Sequence, residues 1–363
     1  MIRAAQKGVA LITVLLVVAL AVVFATKMNS ALLLQLQRVE NINSNQQAYW
    51  YAMGAEAFAK TVLTLSFQDS SDKNVTHLGQ IWASGQSSFP VDLGEISGEI
   101  SDLQSCLNLN ALVQSEQTKA ESYSTGSGNS QTNADDKASD TGDESSQTNN
   151  EQSGEKNLPK MALKELIILL EVEGITSFEA ESMADSLYDW LDGDSIISGS
   201  GGAEDNDYAA KLHPYLAANS KLASVGELRV IEHFTPAVIN ALKDYVCVLP
   251  NSDIHKININ TIDPEKPILL QALLGGIDKS QAQDILSERG DSGFEKIEDF
   301  YSLTQVKEIK DFNQFRQQFV VDSEYFKLKT TTSFNNSFFS MSSVMKINTD
   351  QSISVINRSI GAD

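Results

Sequence analysis

The sequence predicts an α+β protein. One long N-terminal helix packs on an antiparallel sheet, and a large helical domain is inserted into the sheet's chain path. Three observations carry this. Apolar residues recur at helical spacing from residue 9 to about 65. Alternation of apolar and polar residues, the period of half-buried strands, marks 94–110 and returns from 325 to the C-terminus. Between these stretches, from 160 to 319, the period is helical.

The first element is the helix. Residues 1–8, MIRAAQKG, are basic through Arg3 and Lys7 and end at Gly8. Residues 9–26, VALITVLLVVALAVVFAT, carry no charge. They make roughly 27 Å of helix, enough to cross a hydrocarbon core. Basic residues before such a span keep the N-terminus cytoplasmic and send the remainder outward. A cleaved signal peptide is the alternative, with Val23-Phe24-Ala25 as its small-residue site. Against it, the helical period continues past Lys27 through Met28, Leu32, Leu36 and Val39, then Ala48, Ala52, Ala55, Phe58, Ala59 and Val62. Neither Gly nor Pro falls between residues 9 and 53. The reading is one rod of on the order of 85 Å, first in lipid and then amphipathic.

Residues 70–90 read as a polar loop ending at Pro90. Strands are expected at 94–101 and 106–110. Residues 114–157 are mostly Ser, Thr, Gln, Asn, Asp, Glu and Gly with Tyr123 the only aromatic, a composition that cannot bury enough apolar surface to offset chain entropy, so disorder is expected.

The helical region starts with Leu163, Leu166, Ile167 and Leu170 and continues through 178–191, 224–231, 236–242, 269–274, 280–289 and 297–301. Two pieces resemble each other: 166–190, turning at Gly174-Ile175, and 269–285, turning at Gly275-Gly276-Ile277. Each is a helical hairpin. LNLN at 107–110 is echoed by ININ at 257–260, so a short strand is expected at each entrance. The final strands are placed at 325–330, 338–347 and 353–357.

The segment 257–289 is also similar to helix-hairpin-helix DNA-binding modules, in which turn amides and basic side chains meet phosphate. Asp278, Asp284, Glu288 and Asp291 give it an acidic setting. The whole chain has a net charge of -21, from 48 acidic and 27 basic residues. That balance opposes nucleic acid as the main partner, because phosphate binding needs Lys and Arg to displace counterions.

The two cysteines, Cys106 and Cys247, point to a disulfide in an exported chain, with two buried free thiols as the alternative. An acidic cluster runs from Asp189 through Asp192, Gly193 and Asp194 to Glu204, Asp205 and Asp207, with Gly199, Gly201 and Gly202 between. Hard divalent cations want several carboxylates on a flexible backbone. From the residues alone a solvated acidic loop and a cation site are both open, and the spacing is not that of an EF-hand. The four histidines lack zinc spacing, and nucleophile-elbow and P-loop motifs are absent, so an enzyme is not expected.

A basic leader ending in Gly, an unbroken apolar helix and an amphipathic continuation resemble type IV pilin-like precursors. The strings GVALITVLLVVALAVV (8–23) and QAYWYAMGAEAFAK (47–60) are similar, as a pair, to the large minor pseudopilins of the K family of type II secretion systems. The resemblance covers nearly the whole chain. It implies a type IV pilin-like fold whose inserted helical domain holds two helical-hairpin (SAM-like) modules. The implied organisation is a leader at 1–8, a pilin helix at 9–66 and a first α/β part at 90–113. A loop at 114–157, an insert at 158–320 with an acidic loop at 188–208, and C-terminal strands at 321–363 complete it. It further implies cleavage by a prepilin peptidase between Gly8 and Val9, with N-methylation of Val9. Relatives usually carry Glu at mature position five. Here that position is Thr13, which fits a subunit with none above it. DW, the Asp-rich turn and GGAED are similar to the family's calcium loop, implying structural Ca2+ on Asp192, Asp194, Glu204, Asp205, Asp207 and Asp189. The implied place is the bacterial inner membrane, single-pass, with the C-terminal domain periplasmic. Implied partners are the I and J pseudopilins, then H, the major pseudopilin G and the inner-membrane platform. The implied role is to form the pseudopilus tip and help start assembly. A minor pilin of a type IV pilus or a DNA-uptake system is the alternative. Tyr49-Trp50-Tyr51-Ala52 is a candidate helix-packing surface, with core packing against the sheet as the rival reading.

Overall fold

The computed structural model describes residues 9–69, 75–113, 157–335 and 337–361. The leader expected at 1–8, with Gly8, and residues 114–156 of the expected loop lie outside them.

Helix α1 (Val9–Asp69) is unbroken and ends a few residues beyond its expected limit. Every residue from 9 to 43 is exposed, and Ser44 is the first to be buried. From there Ala48, Ala52, Glu56, Ala59, Leu63 and Ser66 form one buried stripe at helical spacing. The alanines let the helix lie close to the sheet, and the Thr332 hydroxyl donates to the Ala48 carbonyl at 2.8 Å.

Strands β1 (Ser87–Val91) and β2 (Gly94–Asp102) follow. The insert then begins with β3 (Leu107–Asn108), α2 (Leu158–Leu169), α3 (Ser177–Leu191), α4 (Asp205–Ala209), α5 (Pro236–Leu242) and β4 (Val246–Cys247). A second set comprises β5 (Ile257–Asn258), α6 (Ile268–Leu273), α7 (Lys279–Glu288), α8 (Ile297–Ser302), α9 (Thr304–Lys307) and β6 (Phe319–Val320). The chain returns as β7 (Tyr325–Phe334), β8 (Ser337–Ile347) and β9 (Ile353–Ile360).

The main sheet is antiparallel in the order β1-β2-β7-β8-β9. The pairing of β2 with β7, from Gly94 opposite Phe334 to Asp102 opposite Phe326, joins strands that the whole insert separates. Ala59 and Leu63 of α1 pack with Trp82, Phe326, Leu328 and Met345 as its core.

Three expectations are corrected. Residues 87–91, read as loop, form an edge strand, where Pro90 removes no ladder bond from a sheet interior. The strand expected at 106–110 stops after two residues and passes into a 3-10 turn at Leu109–Leu112, whose burial leaves no alternating face. Residues Val225–Val230 are 3-10 helix, and α4 and α9 escaped the sequence reading because each is barely one turn.

The insert has two halves that share local devices. In each half a short strand pairs in parallel with the strand that closes it, β3 with β4 and β5 with β6. Asn108 Oδ1 accepts from the Asn110 N–H, and Asn258 Oδ1 accepts from the Asn260 N–H. The turn glycines Gly174 and Gly276 share φ +82°, a conformation open to Gly. Helices α2 and α6 pack together, and one apolar cluster runs through both halves. The Cys106–Cys247 disulfide is formed, with Cα atoms 5.8 Å apart, beside the β3–β4 closure.

Sheet and insert meet at Asp102, which is buried. Its carboxylate accepts from Thr261 Oγ1 at 2.5 Å, Ser323 Oγ at 2.6 Å and Gln104 N at 2.7 Å. Burial pushes this carboxyl up from 3.8 to about 6, against the pull of those donors. A folded-state value above the unfolded one gives stability that is complete below about pH 3.8 and lost as pH rises through about 6. Asp102→Asn keeps an acceptor but cannot ionise. Urea unfolding at pH 4 and pH 7 is expected to show wild type losing stability relative to this variant as pH rises. A constant difference would mean that Asp102 does not titrate in that window.

Candidate functional site

Helix α3 begins at a capping box, Thr176 with Glu179. One of its faces is polar yet buried: Ser182, Asp185, Ser186 and Asp189 are all at most 4% exposed. Buried polar groups need partners, and the segment following α3 supplies them by lying on this face. The Ser198 N–H donates to both Asp189 oxygens at 3.1 Å, and the Ser186 hydroxyl donates to the Gly201 carbonyl at 3.0 Å. Lys160 pairs with Asp185 at 2.7 Å. Gly202 sits directly on the Asp189 carboxylate, where a Cβ would collide. On the apolar side, Trp190 meets the fully buried Tyr208 edge-on at 5.1 Å between centroids.

This folding back brings Asp192, Asp194 and Glu204 together, with one oxygen of each within 4.8 Å of the others. Asp192 and Glu204 are buried and Asp194 is exposed. Asp192 Oδ1 and both oxygens of Glu204 have no hydrogen-bond partner. Burial, then the charges of Asp194 and Asp189, pushes the Asp192 carboxyl up to about 6. Burial, then Asp189 and Asp192, raises Glu204 in the same direction. Such a site holds negative charge at a cost, and its unpaired oxygens are the hard donors that suit a divalent cation.

The other three acidic residues expected here are engaged with backbone. Asp205 Oδ1 accepts from the Ala217 N–H at 3.0 Å, Asp207 Oδ2 accepts from the Glu204 N–H at 3.0 Å, and Asp189 holds Ser198. They shape the loop around the cluster. The buried face beneath it was missed in the sequence, although Ser182, Asp185, Ser186 and Asp189 fall at i, i+3, i+4 and i+7 of one helix.

In the segment similar to DNA-binding hairpins, Arg289 is turned inward, while Lys279 beside the turn is exposed. Arg289 is 8% exposed, and its Nη1 donates to the Ile259 and Ile262 carbonyls at 3.0 and 2.6 Å. On α1, the Thr13 hydroxyl donates to the Ala10 carbonyl at 2.9 Å within its own helix. The aromatic segment of α1 divides. Tyr49 packs edge-on against Phe339 and Tyr51 against Phe334, Ala52 is buried, and Trp50 points outward at 64% exposure.

Comparison with known proteins gives a consistent set. Family models described as Type II secretion system protein K match residues 105–251 and 257–322, a division that falls between the two halves of the insert. Type II secretion system protein K of Aeromonas hydrophila is 37% identical over 80% of this chain and 78% of its own length. The protein of that name from Pectobacterium carotovorum subsp. carotovorum is 30% identical over 99% and 98%. Among solved structures, the GspK-GspI-GspJ complex from the enterotoxigenic Escherichia coli type 2 secretion system contains a chain that superposes with TM-score 0.72 at 29% identity. The match covers 90% of this chain and all of that one.

Proposed function

The chain belongs to the Type II secretion system protein K family, and from that premise we propose that it caps the pseudopilus and starts its assembly. It is a minor pseudopilin, and its partners are the I and J pseudopilins. The observation that carries the capping role is where the insert sits. Helix α1 enters the sheet at Ala48 and leaves near Phe67, which meets Phe326 edge-on. The insert joins at that far end, where the Thr76 N–H donates to the Val321 carbonyl at 2.9 Å and the Asn258 amide to the Thr76 carbonyl at 3.1 Å. A subunit above would have to share this space. Thr13, an uncharged residue spent on its own helix, supports the same reading.

Helix α1 is long and apolar enough over its first part to cross a membrane, and in our reading residues 9–26 anchor the chain in the inner membrane with the head in the periplasm. A prepilin peptidase removes residues 1–8 and Val9 becomes N-methylated. Assembly then brings in the H and G pseudopilins and the inner-membrane platform. Asp192, Asp194 and Glu204 hold a structural Ca2+ ion; its charge relieves the repulsion among them, and the ion fixes the loop on α3. The role is structural, and no catalytic step is assigned.

Purification of the unaltered chain from its native membrane tests this reading. The intact mass is expected to lack residues 1–8 and to carry one added methyl group, with I and J pseudopilins co-eluting. A chain cleaved near Ala25 and recovered alone would overturn it.

A further inference from the structure

The end of the sheet where α1 enters carries large apolar side chains that no described residue covers. Leu93, in the β1–β2 turn, is 69% exposed; Phe338, at the start of β8, is 74% exposed; Ile360, at the end of β9, is 68% exposed. Trp50 of α1 is exposed at the same level along the helix, since neighbouring Tyr49 and Tyr51 pack edge-on against Phe339 and Phe334. All lie at one end of the fold: the Asn335 N–H donates to the Leu93 carbonyl at 2.8 Å, tying the two hairpin tips, and Ile360 pairs with Met341 close to the β7–β8 turn. The Leu93 and Asn335 backbones are tied together, so Leu93 is presented at a fixed place. Single exposed apolar residues are ordinary on a protein surface, but a rimmed cluster marks an interaction surface.

The helix itself defines what this rim faces. Residues 27–47 run from the end of the apolar span to the rim and measure about 32 Å at 1.5 Å per residue. They are exposed except for Ser44 at 4%, with Gln47 partly covered. A globular domain of about 100 residues, with radius of gyration near 13 Å, is about 33 Å across. The gap between membrane and rim is one small domain high.

We propose that the collar formed by Leu93, Phe338, Ile360 and Trp50 seats the globular head of a neighbouring pseudopilin that lies one step nearer the membrane. The inference rests on the pseudopilin reading and adds the surface by which the head of this subunit rests on the one below, distinct from contact between N-terminal helices.

The test uses the full-length chain co-expressed in membranes with the I and J pseudopilins of the same system. Leu93→Glu, Phe338→Glu and Ile360→Glu are combined, and recovery of I and J is measured after detergent extraction. The triple variant is expected to recover at least ten-fold less of both. Ile81→Glu, at the opposite end of the head and 56% exposed, is expected to recover both in full, and Phe338→Leu alone is expected to do the same. Thermal unfolding checks that the triple variant is folded; if it is not, Phe338→Glu alone takes its place. A folded collar variant that recovers I and J like the unaltered chain overturns the collar and leaves the pseudopilin reading intact. No recovery even with the unaltered chain overturns both.

Discussion

Replacing Asn110 with alanine is expected to cost about 3–5 kcal/mol of stability, a large effect for one side chain. Asn110 is 1% exposed. Its Oδ1 accepts from the Leu222 N–H at 2.7 Å, and its Nδ2 donates to the Leu222 and Leu249 carbonyls at 3.0 and 3.1 Å. These links cross more than a hundred residues and close the first half of the insert. Alanine leaves the Leu222 N–H and carbonyl unpaired in a dry interior, each costing about 1–3 kcal/mol, while the Leu249 carbonyl keeps the Ser252 N–H. Asn260 repeats the device in the second half: it accepts from the Phe294 N–H at 2.7 Å and donates to the Phe294 carbonyl at 3.0 Å. With the same number of groups orphaned, Asn260→Ala is expected to cost about as much, about 3–5 kcal/mol. Asn240, exposed and bonded only to Lys243, is the control, expected within about 0.5 kcal/mol of wild type. Urea unfolding followed by tryptophan fluorescence reads all three. A loss below about 1 kcal/mol at Asn110 would show that the clamp is not closed in solution.

The clamps also show what the sequence made legible. LNLN and ININ stood out as an echo, and the expected short strands are present at both. The destinations of the asparagine side chains did not stand out, because Leu222 and Phe294 lie far along the chain and carry no local signal. Helices α2, α3, α5, α6 and α7 were read to within a few residues, except for the start of α2, since each buries an apolar stripe whose period survives in the sequence. Strand β1 was lost because an edge strand with one partner can carry Pro90 and lack a clear alternation. The disulfide was legible from cysteine number and export alone. At the acidic loop, composition gave six candidate carboxylates, and only folding shows that Asp192, Asp194 and Glu204 converge while Asp189, Asp205 and Asp207 do not join them. That distinction depends on where the segment after α3 lies down, which Ser182, Asp185, Ser186 and Asp189 decide together.

Calcium is expected to reverse the sign of a mutation at this loop. Without the ion, Asp192, Asp194 and Glu204 face one another, and burial already raises Asp192 to about 6. Neutralising one of them relieves like-charge repulsion. In excess chelator, Asp192→Asn should therefore melt above wild type. With calcium at about 100 times its dissociation constant, wild type gains about 2.7 kcal/mol by mass action, which for a head of this size raises Tm by roughly 5–10 °C. Asp192→Asn and Glu204→Gln each remove a charged oxygen donor and lose most of that gain, so their curves fall below wild type in calcium. Asp205→Asn and Asp207→Asn act differently. Their carboxylates accept from the Ala217 and Glu204 N–H groups, and an amide oxygen can still accept there. Both are expected to keep the calcium response and to lose a little stability in either buffer. Paired thermal melts in calcium and in chelator separate the two groups. No calcium shift in wild type would remove the ion from the site. An equal loss of response at Asp205 or Asp207 would extend the ligand set beyond the three residues whose oxygens converge.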